Sequence, residues 1–151
     1  MVVRGWNLIS VPLNLPSLAL PAQLLDGDTY WDRIMWYDST DTVDHWKQFN
    51  TGWASSLNDL DRIETTMGFW INVTDVGDGY LNLSGTVPSS TQMQLRAGWN
   101  MVGYPTLATN MTIAIAFWGT SVNIVEVFDA SSPYRTKTVG PGYVMKPGEG
   151  Y

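Results

Sequence analysis

The chain has 151 residues, a net charge of −6 and no cysteine, and is 44% hydrophobic but only 15% charged. That length can bury one sizeable core. Low charge with many aromatics excludes a disordered segment, negative charge disfavours nucleic acid and anionic membranes, and the missing cysteines exclude disulfides, thiolate metal sites and cysteine nucleophiles.

In chain order, Gly5–Leu13 is a short apolar run ended by proline, the pattern of a buried strand. A short helix is expected near Ala22–Leu25. Ile34 and Trp36 alternate with Met35 and Tyr37 in a strand that ends at Asp38, followed by a polar hairpin-like stretch carrying Trp46. Gly68-Phe69-Trp70-Ile71-Asn72-Val73 closes this part as a further strand. Asp78-Gly79 is a tight-turn signal, opening a linking hairpin at about 79–95 whose strands would be Tyr80–Val87 and Thr91–Leu95. The pattern then restarts at Gly98. It continues with a helix over Thr112–Trp118 capped by Asn110 or Thr112, a strand over Val125–Asp129, a polar stretch with Tyr134, and Gly150-Tyr151.

That restart is the strongest organisational signal. Gly5-Trp6-Asn7-Leu8-Ile9-Ser10-Val11-Pro12 returns as Gly98-Trp99-Asn100-Met101-Val102-Gly103-Tyr104-Pro105. Ile34–Asp38 is echoed by Val125–Asp129, and Ile63–Phe69 by Met145–Tyr151. Three matches in the same order predict an internal duplication. The expected architecture is mainly β: copy one at about 5–75 and copy two at about 98–151, each a few strands plus a short helix. Joined by the hairpin, they would pack as one pseudo-two-fold, barrel- or sandwich-like domain over 1–151.

There is no run of ~20 apolar residues, and no apolar leader follows Met1–Arg4. The preferred reading is a fragment from inside a longer chain, with Met1 an expression start; a cytoplasmic protein is the plainer alternative. Gly-Trp-Asn-Leu-Ile-Ser-Val-Pro, Trp-Tyr-Asp, Gly-Phe-Trp-Ile and the second Gly-Trp-Asn-Met-Val-Gly-Tyr-Pro resemble a repeat of secreted archaeal and bacterial proteins. Such repeats accompany cell-surface proteins and extracellular polysaccharide- or protein-degrading enzymes as non-catalytic appendages. The resemblance implies a secreted or cell-surface location, an accessory role, and covalently linked neighbouring domains; it assigns no ligand.

Catalytic signals are poor. His45 is the single histidine and sits in a polar turn, with no nucleophile-elbow sequence anywhere. A small glycosidase would need two carboxylates facing each other at about 5–10 Å, but most aspartates here neighbour Ser, Thr, Asn or Gly, where they serve turns. Asp38 and Asp129 share a duplicated strand end and read as structural. No cofactor is expected. Asp38, Asp41 and Asp44, and Asp75 with Asp78, offer oxygen ligands, but neither set has EF-hand spacing, so calcium is a weaker reading than a solvated acidic loop.

The aromatics are the functional hint: eight Trp, seven Tyr and four Phe. Sugar rings present flat C–H faces that stack on aromatic rings, while their hydroxyls pair with polar side chains at the ring edge. Trp6, Trp99, Trp36, Phe69 and Tyr151 are expected in the core, and Trp118 is expected to pack inward from the second helix. Tyr30, Trp31, Tyr37, Trp46 and Trp53 remain in polar surroundings of the first copy. If they converge they form a stacking platform, with Asp32, Asp44, Gln48 and Asn50 supplying hydrogen bonds; otherwise they complete the first core. The expected function is thus a carbohydrate-binding module taking a polysaccharide. The alternative is a structural or adhesive repeat of a cell-surface protein.

Overall fold

The computed structural model describes residues 1–15, 30–77 and 80–151. The helix expected near Ala22–Leu25 and the Asp78-Gly79 turn lie outside the described residues.

Four strands form an antiparallel sheet: β1 (Gly5–Ser10), β2 (Tyr30–Tyr37), β3 (Trp46–Asn50) and β4 (Gly68–Asp75), in the order β1-β4-β2-β3. Alternation decides what each strand buries. On β4, Phe69, Ile71 and Val73 are at most 1% exposed. They face Ile34 of β2 together with Val11, Leu60, Ile63 and Met67. Burying each of these large side chains stabilises the fold by about 1.5–3 kcal/mol, so this inner face holds the sheet in register. Trp36 packs against the same cluster, as expected.

A bulge interrupts β2. Trp31 pairs with Val73 while Arg33 pairs with Asn72, leaving Asp32 as the extra residue. Trp31 consequently turns onto the core cluster and meets Phe49 at 6.1 Å. Asp32 instead accepts a 2.8 Å hydrogen bond from the Asn72 amide.

The later part of the chain has one helical turn, α1 (Ile113–Ala116), and a two-stranded ladder of β5 (Glu126–Phe128) and β6 (Thr136–Thr138). Its core is Tyr104, Ile113, Val125, Val127, Met145 and Tyr151. The helix is shorter than expected. Thr112 caps it without a side-chain hydrogen bond, and it ends before Trp118, which is 87% exposed rather than packed inward.

Three further expectations are corrected. The described part of the link, 80–95, forms no hairpin; Thr86 bridges Asn14 instead. The sheets do not close into a barrel. A strand over Gly98–Tyr104 is also absent, the run being held at one bridge, Val102 to Met67, and by an exchange of backbone bonds between Val102 and Tyr151 at 2.7 and 2.9 Å.

Local geometry recurs where the sequence recurs. Asn7 accepts from Val3 N and donates to the carbonyls of Val3 and Gly5; Asn100 accepts from Arg96 N and donates to those of Arg96 and Gly98. Gly5 and Gly98 have φ of 90° and 96°, a region that a side chain rarely enters. The two parts also exchange backbone contacts reciprocally. Ser10 N donates to Gly148 O at 2.9 Å and Gly103 N to Thr66 O at 2.8 Å. Likewise Ile9 bridges Glu149 as Val102 bridges Met67. The Trp36 indole adds a 3.2 Å bond to Met101 O.

Candidate ligand-binding face

The sheet face opposite the core carries the candidate residues. The β2–β3 register sets Tyr37 across from Trp46, Met35 from Gln48 and Arg33 from Asn50. On the other side, Met35 meets Trp70 and Arg33 meets Asn72. Because alternate residues share a face, Arg33, Met35 and Tyr37 line up with Trp46, Gln48, Asn50, Trp70 and Asn72.

Two aromatic stations stand at the ends of this strip. At one, Tyr37 meets Trp46 edge-on, with centroids 5.4 Å apart and planes at 73°. The His45 ring stacks on Tyr37 at 4.8 Å and 21°, and its Nδ1 lies 3.0 Å from Asp38 O. At the other, the Arg33 guanidinium lies 5.4 Å from the centre of the Trp53 ring. Tyr37 lies four residue steps along β2 from Arg33, so the stations are roughly 13 Å apart. Gln48 lies between them. Trp46 is 42% and Trp53 39% exposed.

Not every candidate joins this strip. Trp31 is packed on the core and leaves the platform. Tyr30 is exposed but pairs with Asp75 at the start of β2, away from the Trp46 end. The Asp32 carboxylate is engaged by Asn72, and Asn50 Oδ1 accepts from Gly52 N at 2.9 Å. Asp44 is exposed, 3.7 Å from Lys47.

Sequence reasoning missed several residues. Trp99, expected in the core, is 61% exposed. Trp6 belongs to neither core cluster and sits across from Asn72 on the outer face. The signal was available in alternation: if Asn7 and Ile9 point inward, Trp6 points out. Arg33 and Trp70 follow from the same period of two. Trp46 and Trp70 also line a cleft of about 1260 Å³ together with Trp99 and Tyr134.

The acidic loop is internally paired. Lys47 lies 2.8 Å from Asp41, and this bond, with backbone N–H groups of Asp44 and Val43, holds the Asp41 carboxyl well below the usual range. Asp129 is lowered to about 2 by the Ser131 hydroxyl and N–H, then by Lys137. Asp38 and Asp129 close equivalent turns, onto Thr40 and Ser131. Among the described residues no three His, Asp or Glu side chains gather as a metal site.

Comparison of the chain with protein-family models, curated proteins and solved structures found no match.

Proposed function

We propose that this chain is a non-catalytic carbohydrate-binding module of a secreted polysaccharide-degrading enzyme, built from one folding pattern written twice about a pseudo-two-fold axis. The matched hydrogen bonds of Asn7 and Asn100 and the reciprocal Ser10 and Gly103 contacts support the duplication. The observation that carries the binding reading is the pair of solvent-open indoles, Trp46 and Trp53, on one sheet face with Tyr37, Gln48 and Asn50. Their spacing suits successive stacking along an extended glycan chain. The module would hold polysaccharide close to a tethered catalytic domain, raising effective concentration without chemistry.

Affinity electrophoresis and calorimetry against soluble and insoluble glucans, mannans and chitin test this. Binding to one class, weakened about fivefold or more by Trp46→Ala or Trp53→Ala, is expected, since a stacked ring contributes of order 1 kcal/mol or more. Lack of binding to every polysaccharide removes the proposal.

A structural or adhesive repeat of a cell-surface protein is the second reading. It is favoured by the exposed Trp99, Trp118 and Tyr134, which lie outside the β2–β3 strip and present apolar area of the kind buried between modules.

A further inference from the structure

Three Asn-x-Ser/Thr triplets lie within the described residues: Asn72-Val73-Thr74, Asn82-Leu83-Ser84 and Asn110-Met111-Thr112. Such a triplet is the acceptor sequence for N-linked oligosaccharide where it stands on an accessible surface. All three turn an apolar middle residue inward. Val73 belongs to the first core, Leu83 packs against it, and Met111 packs against the second core. Asn82, Ser84 and Asn110 are exposed, and Thr112 is half-buried in extended backbone.

The three differ in what holds the asparagine. Asn72 is half-buried in the middle of the sheet, across from Trp6 of β1 and Arg33 of β2, and its Nδ2 donates to Asp32 at 2.8 Å. Asn110 stands in the segment leading into α1. Neither its amide nor the Thr112 hydroxyl has a hydrogen-bond partner among the described residues.

We infer that Asn110 and Asn82 accept an N-linked oligosaccharide and that Asn72 does not. The donor is an oligosaccharide joined to a polyprenyl lipid through a diphosphate. The asparagine Nδ2 attacks the anomeric carbon and forms a carbon–nitrogen bond. The carbon–oxygen bond to the diphosphate breaks, the lipid diphosphate leaves with that electron pair, and Nδ2 gives up one proton. The step needs a nitrogen free to turn toward the donor and a backbone that a transferase can grip. Asn110 meets both conditions. Asn72 meets neither, because its nitrogen is engaged and its strand would have to leave two ladders at once. Placement agrees with the proposed ligand face. Asn72 stands in the strip beside Arg33, where an attached oligosaccharide would cover the rings, while Asn82 and Asn110 belong neither to the strip nor to the cleft lining. The inference rests on the secreted location proposed above, where such acceptors meet their donors.

The folded chain is incubated with an oligosaccharyltransferase and its lipid-diphosphate donor, then weighed intact and mapped by peptide mass spectrometry. The mass should rise by two oligosaccharides, located on Asn110 and Asn82. Thr112→Ala should abolish the first addition and Ser84→Ala the second, with every asparagine still in place. Asn110→Gln should leave Tm unmoved, because that amide holds no bond in the fold. A synthetic peptide spanning Gly68–Asp75 should be modified on Asn72, which places the protection in the sheet and not in the triplet. An unmodified Asn110 in the folded chain, or Asn72 modified there as fully as Asn110, would overturn the inference. Because enzyme and donor are supplied, failure here counts against the acceptor sites alone; the secreted, glycan-binding reading is tested separately, by export of the chain and by polysaccharide binding.

Discussion

Gly150 rests against the carbonyl of Ile9, so that a Cβ at Gly150 would stand 2.7 Å from that oxygen and 2.9 Å from Leu8 Cγ. Gly68 makes the matching approach to Val102, whose carbonyl oxygen and carbon a Cβ would meet at less than ordinary contact distance. In each case the nearest atom is a backbone carbonyl oxygen, which cannot swing aside as a side chain can.

Gly150→Ala and Gly68→Ala should therefore each destabilise the fold by about 1–3 kcal/mol, the cost of forced overpacking. Gly142→Ala is the control, since nothing lies within 4 Å of its added Cβ. Urea denaturation compares the three. Wild-type midpoints for the first two would show that the parts do not meet as described.

The two repeated asparagines should differ in cost. Asn7 is 1% exposed, and its removal strands Val3 N–H and the carbonyls of Val3 and Gly5 where they are half-buried. Asn7→Ala should cost about 1–3 kcal/mol. Asn100 makes the same bonds where water reaches them, so Asn100→Ala should cost about 1 kcal/mol or less. Thermal or chemical denaturation of the two variants measures the difference.

Alkali should unfold the protein through its second core. Burial raises the hydroxyl pKa of Tyr104, Tyr143 and Tyr151 above the usual value. The Tyr151 hydroxyl also donates to Glu149 at 2.6 Å. Above about pH 10 the unfolded tyrosines lose their protons while the folded ones keep theirs. The unfolded state then binds fewer protons, so stability falls as pH rises. Tyr151→Phe should flatten that decline in a series of melts between pH 9 and 11.

At the acid end, Asp129 should titrate near 2 in carboxyl NMR spectra, and Ser131→Ala should move it toward the ordinary carboxylate range. A folded value below the unfolded one contributes stability above the unfolded pKa, lost as pH falls toward 2. Asp129→Asn should correspondingly weaken the acid dependence of the melting temperature.

Period-two alternation made β2 and β4 legible, and the repeated Gly-Trp-Asn and strand-end aspartates marked the positions whose local geometry recurs. Alternation failed where pairing, rather than composition, decides the outcome. Asp32 is one bulged residue, and its insertion reverses Trp31 from platform to core; nothing in the run Tyr30–Tyr37 marks which residue is unpaired. Trp99 was misplaced for a related reason. An apolar run becomes core only where a neighbouring strand covers it, and among the described residues no strand pairs with Trp99 as β4 pairs with Trp6. Tyr37, Trp46 and Trp53 were found because polar neighbours set them apart, while Arg33 and Trp70 needed the cross-strand register.

The contact between Ser10 and Gly148 joins residues far apart in sequence. The opening strand reaches its full set of neighbours only when residues nearly a chain length away have been made and brought back. Contacts so remote in sequence close slowly, because a long loop must be ordered before any pairing rewards it. During synthesis the four strands of the first sheet can pair among themselves, leaving the Ile9 edge of β1 open until Gly148–Gly150 follow.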